Sequence, residues 1–306
     1  MKNKNFLKSL IGIILAAVLC GYLVHNGTFT CVKQISWLSL FILLLLTASS
    51  FMLNGLQMHY LLRKQNSVHL TCWDTILLPF TMNLLSYVIP ANGGFLYSVY
   101  FLKTKYGVDI SKGASIGFFI IYIYLAISGI ICLSIGLFLL SLQAIFAGIA
   151  LLLSPWLLRI VNLAAKKIKL RFTWFQKGKQ ILSDIVESSE KMLHKREIVL
   201  FNILFTVLQT VITYLVYWFL AKELKMDISS SIILATVLFL QISSFVRIIP
   251  GNMGIEELFS GGVFLLLGQD GSVGVLLSLL LRAARFLLVI PLGLVHLIIE
   301  KKKHTA

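Results

Sequence analysis

Four ionisable residues in the C-terminal third of this 306-residue chain have the types and spacing for chemistry in an apolar setting. Arg282 and Arg285 stand three apart in the run Val273–Ile299, on one helix face. Arg282 lies nine residues past Val273, about 14 Å along a helix and near the middle of a hydrocarbon core ~30 Å thick. An arginine there costs roughly 2.5–3.5 kcal/mol or more unless solvated or paired. Glu256 and Glu257 follow a break at Pro250-Gly251-Asn252-Met253-Gly254, where acids complement a helix N-terminus. Arg247 stands three residues before Pro250 and faces the same cavity if the break lies deep. Two readings are open: a buried ion pair that docks the broken segment, and an anion site for a phosphate-bearing group. Both hold if the pair opens during a cycle.

The break requires explanation because its flanks are apolar. Proline removes a backbone donor, and Gly251 and Gly254 permit conformations that a helix does not use. In hydrocarbon such a break is tolerated only inside protein or beside a water-filled cavity. A second break, Ile89-Pro90-Ala91-Asn92-Gly93-Gly94, shares the pattern Ile-Pro-x-Asn-x-Gly with the first. Downstream, Gly107-Val108-Asp109-Ile110-Ser111-Lys112-Gly113 and Gly268-Gln269-Asp270-Gly271-Ser272-Val273-Gly274 both read Gly-x-Asp-x-Ser-x-Gly. Two matches in the same order, each followed by a long apolar run, indicate an internal duplication. Asn92 and Asn252, with Gly93 and Gly94 in the first break, complete the candidate polar lining.

The composition is that of a membrane protein: 58% apolar residues with only 13% charged, at a mean hydropathy of +0.92. A net charge of +15 would suggest nucleic acid in a soluble chain. Here the basic residues fall in short segments between apolar runs, as in cytoplasmic loops, and no nucleic-acid partner is expected. Cys20, Cys31, Cys72 and Cys132 form no CxxC pair, and the six histidines show no metal spacing, so no metal or cofactor is expected. The histidines read as loop or interface residues. No phosphate-binding Gly-rich loop, Ser/His/Asp set or HExxH motif is present, and the expectation is a non-enzyme with no catalytic residue.

Full spans are predicted at about 10–24, 35–53 (ending near Asn54-Gly55), 113–140, 144–161, 198–220 and 273–299. The arms beside the breaks, 75–89 with 95–102 and 231–249 with 255–267, fall short of the ~20 residues that a spanning helix needs. They predict re-entrant hairpins. Segment 166–197 carries nine Lys/Arg against four acids, and its second part has helical apolar spacing, predicting an amphipathic cytoplasmic helix. The basic-loop bias places both termini in the cytoplasm. The fold expected is all-α and polytopic, with six full spans and two re-entrant Pro/Gly-broken hairpins in an inverted-topology repeat. Its halves are about 1–141 and 142–306 of one membrane domain. That pattern points to a transport site near the midplane.

The run Pro250–Glu257, then Leu267-Gly268, then Leu281-Arg282, resembles the signature of the lysylphosphatidylglycerol synthase membrane-region family. Pro250, Gly251, Gly254, Glu257, Gly268 and Arg282 match it, as do Pro90 and Gly94 in the first half. This chain departs from the family where Gly94-Phe95-Leu96-Tyr97-Ser98 replaces Gly-Glu-x-x-Arg, and lacks a Glu-Arg pair near Ile120-Ile121. The resemblance implies a flippase-like protein of the plasma (inner) membrane, standing alone without the aminoacyl-transferase domain. Its substrate would be a phosphate-bearing lipid, aminoacylated or glycan-linked within the family's range. The alternatives are a scaffold presenting lipid intermediates to a partner transferase, and a secondary transporter of a small anion.

Overall fold

In the computed structural model the described residues are 35–89, 92–138, 145–146, 148–153, 173–243 and 250–305. Every regular element among them is helical. In chain order they are α1 (Trp37–Asn66), α2 (Cys72–Val88), α3 (Gly93–Tyr106), α4 (Ile110–Phe138), α5 (Thr173–Leu193), α6 (Arg196–Glu223), α7 (Ser230–Ser243), a 3₁₀ turn (Pro250–Asn252), α8 (Ile255–Leu266) and α9 (Gly271–Thr305). Residues 148–153 are also helical. Predicted span 10–24 and most of 144–161 lie outside the described residues.

Among the described residues, four helices are long and apolar enough to cross a membrane: α1, residues Ile110–Ser134 of α4, α6, and Gly271–Lys302 of α9. Their side chains are arranged apolar outward and polar inward. On α9, Leu287, Ile290, Leu294 and Ile298 form an exposed stripe at helical spacing, while Ser278, Arg282, His296 and Glu300 are buried. Hydrocarbon solvates such a stripe, whereas the buried polar groups must find partners within the protein.

The described residues of 1–56, 71–97 and 208–306 form one compact unit, and those of 57–70 and 98–207 a second. In the first, α8 packs on both α7 and α9, and α2 packs on α9. Its core includes Leu43, Tyr217, Ile233, Phe264, Leu277 and Ala284. In the second, α5 packs on α4, burying Ile185 and Met192 of its apolar stripe. Ser115 of α4, Ser188 of α5 and Gln65 hydrogen-bond there, and Tyr60 stacks on Phe201 at 3.5 Å.

One boundary differs from expectation. Helix α1 does not end near Asn54-Gly55 but continues to Asn66. A Cβ on Gly55 would stand 1.8 Å from the Thr75 carbonyl oxygen, so this glycine marks a close backbone crossing and not a helix end. Helix α5 covers the second part of the polar segment, where the apolar spacing predicted a helix.

Candidate functional site

The second break places its residues through backbone conformations that few side chains tolerate. Gly251, Asn252 and Gly254 have φ of +61°, +52° and +83°. Three left-handed residues within four turn the chain from the 3₁₀ turn into α8. A Cβ on Gly251 would also stand 2.1 Å from Tyr87 Cδ1, so position 251 admits only glycine on two counts. Tyr87, near the end of α2, packs on Phe286 of α9 with ring centroids 4.5 Å apart, which leaves its ring little room to yield. Gly251→Ala is expected to destabilise the protein by about 1–3 kcal/mol, read as a lower melting temperature. Gly251→Ala combined with Tyr87→Leu should recover part of that loss.

Helix α8 reaches Arg282 because small residues line its contact with α9. The Ser260 hydroxyl donates to the Gly274 carbonyl at 2.7 Å, and a Cβ on Gly274 would meet the Ser260 carbonyl oxygen at 2.6 Å. This close approach brings the first turn of α8 beside the middle of α9. Glu257 Oε2 accepts from the Gly254 N–H at 2.8 Å, capping the helix, while Oε1 accepts from Arg282 Nε at 2.5 Å. One carboxylate therefore joins helix cap and buried cation, and only 1% of its side chain is exposed.

The Arg282 guanidinium is extensively engaged. Nη1 donates to the Gly251 carbonyl at 2.6 Å, and Nη2 faces the Asn252 carbonyl at 3.2 Å, Glu256 Oε2 at 3.3 Å and Glu257 Oε2 at 3.3 Å. Its side chain is 6% exposed. The arginine thus satisfies carbonyls that the broken backbone leaves without helical partners. Arg285 differs. Its Nη1 donates to Glu256 Oε2 at 3.1 Å, and its side chain is 30% exposed. Two arginines and two glutamates balance in formal charge, as a low-dielectric site requires.

Of the residues singled out in the sequence, Arg282, Arg285, Glu256 and Glu257 converge with the backbone of Gly251, Asn252 and Gly254. Asn92, Gly93 and Gly94 belong to the other break, at the start of α3, where Gly94 N–H donates to Ser86 Oγ at 3.2 Å. Pro90 and Arg247 lie outside the described residues. The two breaks share backbone detail: Asn92 matches Asn252 in being left-handed, with φ of +62° and +52°. Gly107 and Gly268, the paired glycines downstream, are left-handed too, with φ of +66° and +76°.

Two features escaped the sequence. Tyr217 of α6 is fully buried and brings its phenol near Arg285, Glu256, Ser278 and Ser260; its aromatic surroundings gave no signal of this. His296 is not a loop or interface residue: it is 1% exposed within α9.

The model of one family, described as the lysylphosphatidylglycerol synthase TM region, matches residues 9–293. No curated protein and no solved structure matches the chain. With a match over most of its length, and with long apolar helices enclosing buried charge, this membrane protein belongs to the lysylphosphatidylglycerol synthase TM region family.

Proposed function

We propose that the chain is a flippase-like lipid transporter of the plasma (inner) membrane, moving a phosphate-bearing lipid between leaflets. The observation that carries this reading is the balanced Arg282/Arg285/Glu256/Glu257 cluster, held between the short helix α8 and the long helix α9 by a broken backbone. Cationic groups at such depth are costly, and a transport pathway is their usual reason. The roles divide by saturation. Arg282, with five contacts, holds the break in place, whereas Arg285 is bonded at one end and partly open. A lipid phosphate replaces Glu256 on Arg285, and Glu256 is released to a cationic headgroup amine or to water. Acyl chains stay in the bilayer.

The proposed architecture has six spans and two re-entrant hairpins in inverted repeat, with both termini cytoplasmic. It is supported by three short arms, α2, α3 and α8, of 17, 14 and 12 residues, each under the ~20 that span a bilayer. The matched left-handed residues at 92/252 and 107/268 support descent of the two halves from one unit. No catalytic residue is assigned.

The test is translocation of short-chain fluorescent phospholipids in proteoliposomes. Arg285→Gln and Glu256→Gln are expected to slow wild-type movement at least about tenfold, the equivalent of roughly 1.4 kcal/mol, with a smaller fall in melting temperature than Arg282→Gln because both side chains are partly exposed. Unchanged movement in both variants would sink the proposed path. A second reading has a specific observation behind it: the heavily bonded Arg282 equally suits a static dock in a scaffold that presents lipid to a partner transferase. Absence of movement of any lipid by the wild type would put that reading first. Competition by a soluble anion with no need for acyl chains would favour the small-anion transporter.

A further inference from the structure

Far along α9 from the charge cluster, a second group of buried ionisable side chains assembles. His296 and Glu300 stand four residues apart on one face of α9, and Asp74 lies in the first turn of α2. Their exposures are 1%, 7% and 1%. One ligand atom from each lies within 4.8 Å of the other two, and His296 Nε2 is 3.2 Å from Asp74 Oδ1. His296 follows Arg282 by 14 residues, about 21 Å along the helix, so this group is separate from the proposed lipid path.

The helix contact orients the imidazole. At Gly293, a Cβ would meet Leu84 Cδ2 at 3.0 Å and the Phe80 carbonyl oxygen at 3.2 Å, so α2 and α9 run close together. Thr81 of α2 then places its hydroxyl 2.8 Å from His296 Nδ1 and within reach of the Leu77 and Gly293 carbonyls at 3.3 and 3.4 Å. A hydroxyl has one proton to give. If it goes to a carbonyl, Nδ1 carries the ring proton and donates to Thr81, leaving the Nε2 lone pair directed at Asp74. In that tautomer Nε2 presents its lone pair toward Asp74 as a metal-ligating imidazole does, whereas with the proton on Nε2 the contact is an ordinary hydrogen bond to Asp74. The 3.2 Å separation also suits one edge of a tetrahedral zinc site with ligand bonds of about 2.0–2.2 Å.

We propose that Asp74, His296 and Glu300 form a binding site for a divalent transition-metal cation of the zinc class, which clamps α2 to α9. His296 ligates through Nε2, Asp74 and Glu300 through one carboxylate oxygen each, and Thr81 orients the ring from behind. One imidazole with two carboxylates selects zinc or its first-row neighbours over calcium and magnesium, which favour all-oxygen sites. The site adds nothing to the lipid path and stands or falls independently of it.

The experiment is equilibrium dialysis of tag-free, full-length protein in detergent against zinc chloride, with bound metal measured by mass spectrometry. Cobalt chloride provides a parallel optical readout. The wild type is expected to hold about one zinc per chain and, with cobalt, to show visible bands of a four-coordinate site. His296→Ala should abolish both. Thr81→Val, which alters only the orienting partner, should weaken binding by about 10–100-fold. Glu300→Gln serves if His296→Ala does not fold. His59→Ala, at a half-buried histidine outside the cluster, should change nothing. Failure of the wild type to bind, or zinc retained by His296→Ala and Glu300→Gln alike, would overturn the site and leave Asp74–His296 as a buried polar contact between α2 and α9.

Discussion

Arg282→Gln is expected to cost about 3–5 kcal/mol of stability, because it removes one partner of a buried pair and strands the other. Glu257 would remain with 1% of its side chain exposed and no cation on Oε1, and the Gly251 and Asn252 carbonyls would lose their donors. The adjacent Arg285 cannot substitute, since it bonds Glu256 and stands one turn further along α9. Thermal melting in detergent and titration with sodium dodecyl sulfate would read the loss. Pairing Arg282→Gln with Glu257→Gln should recover a substantial part of it: the stranded charge disappears, while a glutamine oxygen can still accept from the Gly254 N–H. Arg282→Lys should rescue poorly, because one ammonium cannot reach two carboxylates and two carbonyls in the planar fork geometry. A single-variant loss under about 1 kcal/mol, the level of a solvated surface pair, would show that water reaches the guanidinium and that it is not the dock described above.

The second large effect is expected at the first break. A Cβ on Gly94 would stand 1.7 Å from the Met82 carbonyl oxygen and 2.4 Å from Ser86 Oγ. Because the nearer obstacle is backbone within α2, no rotamer change relieves it. Gly94→Ala must therefore spread α2 from α3 and break the Gly94 N–H to Ser86 bond, costing about 3 kcal/mol or more, at or above the upper end for overpacked sites. Gly113→Ala is the control. There an added Cβ meets only side-chain atoms at 3.7 Å or beyond, and replacing a helical glycine should stabilise α4 by a few tenths to about 1 kcal/mol. Equal melting temperatures for the two variants would refute the close crossing at Gly94.

These expectations bear on what is legible in a sequence. Long apolar runs revealed α4, α6 and α9 to within a few residues, because a helix in hydrocarbon must be both apolar and continuous. Both breaks were legible for the converse reason: proline and paired glycines have no place in an apolar run unless the backbone turns. Arg282 and Glu257 announced themselves by cost, since an unpaired charge at that depth is too expensive to be incidental.

Other features depended on contacts between segments distant in the chain. Gly55 read as a helix end and proved to be a crossing, because a glycine's missing Cβ looks the same in a sequence whether it frees a turn or admits a neighbouring backbone. The division between a saturated Arg282 and a half-open Arg285 follows from the depth to which α8 sinks against α9, which Ser260 and Gly274 set together. Asp74 and His296 stand 222 residues apart, and neither has a spacing motif that predicts the other. The sequence by itself determined an all-α membrane chain with two broken segments and with arginines and glutamates set among apolar runs, since hydrophobicity, backbone permissiveness and the cost of buried charge are local properties. Which carboxylate each arginine meets, and that a histidine in the last helix lies buried against an aspartate in the second, only the tertiary structure decided, because those outcomes depend on distances of a few ångströms between packed helices.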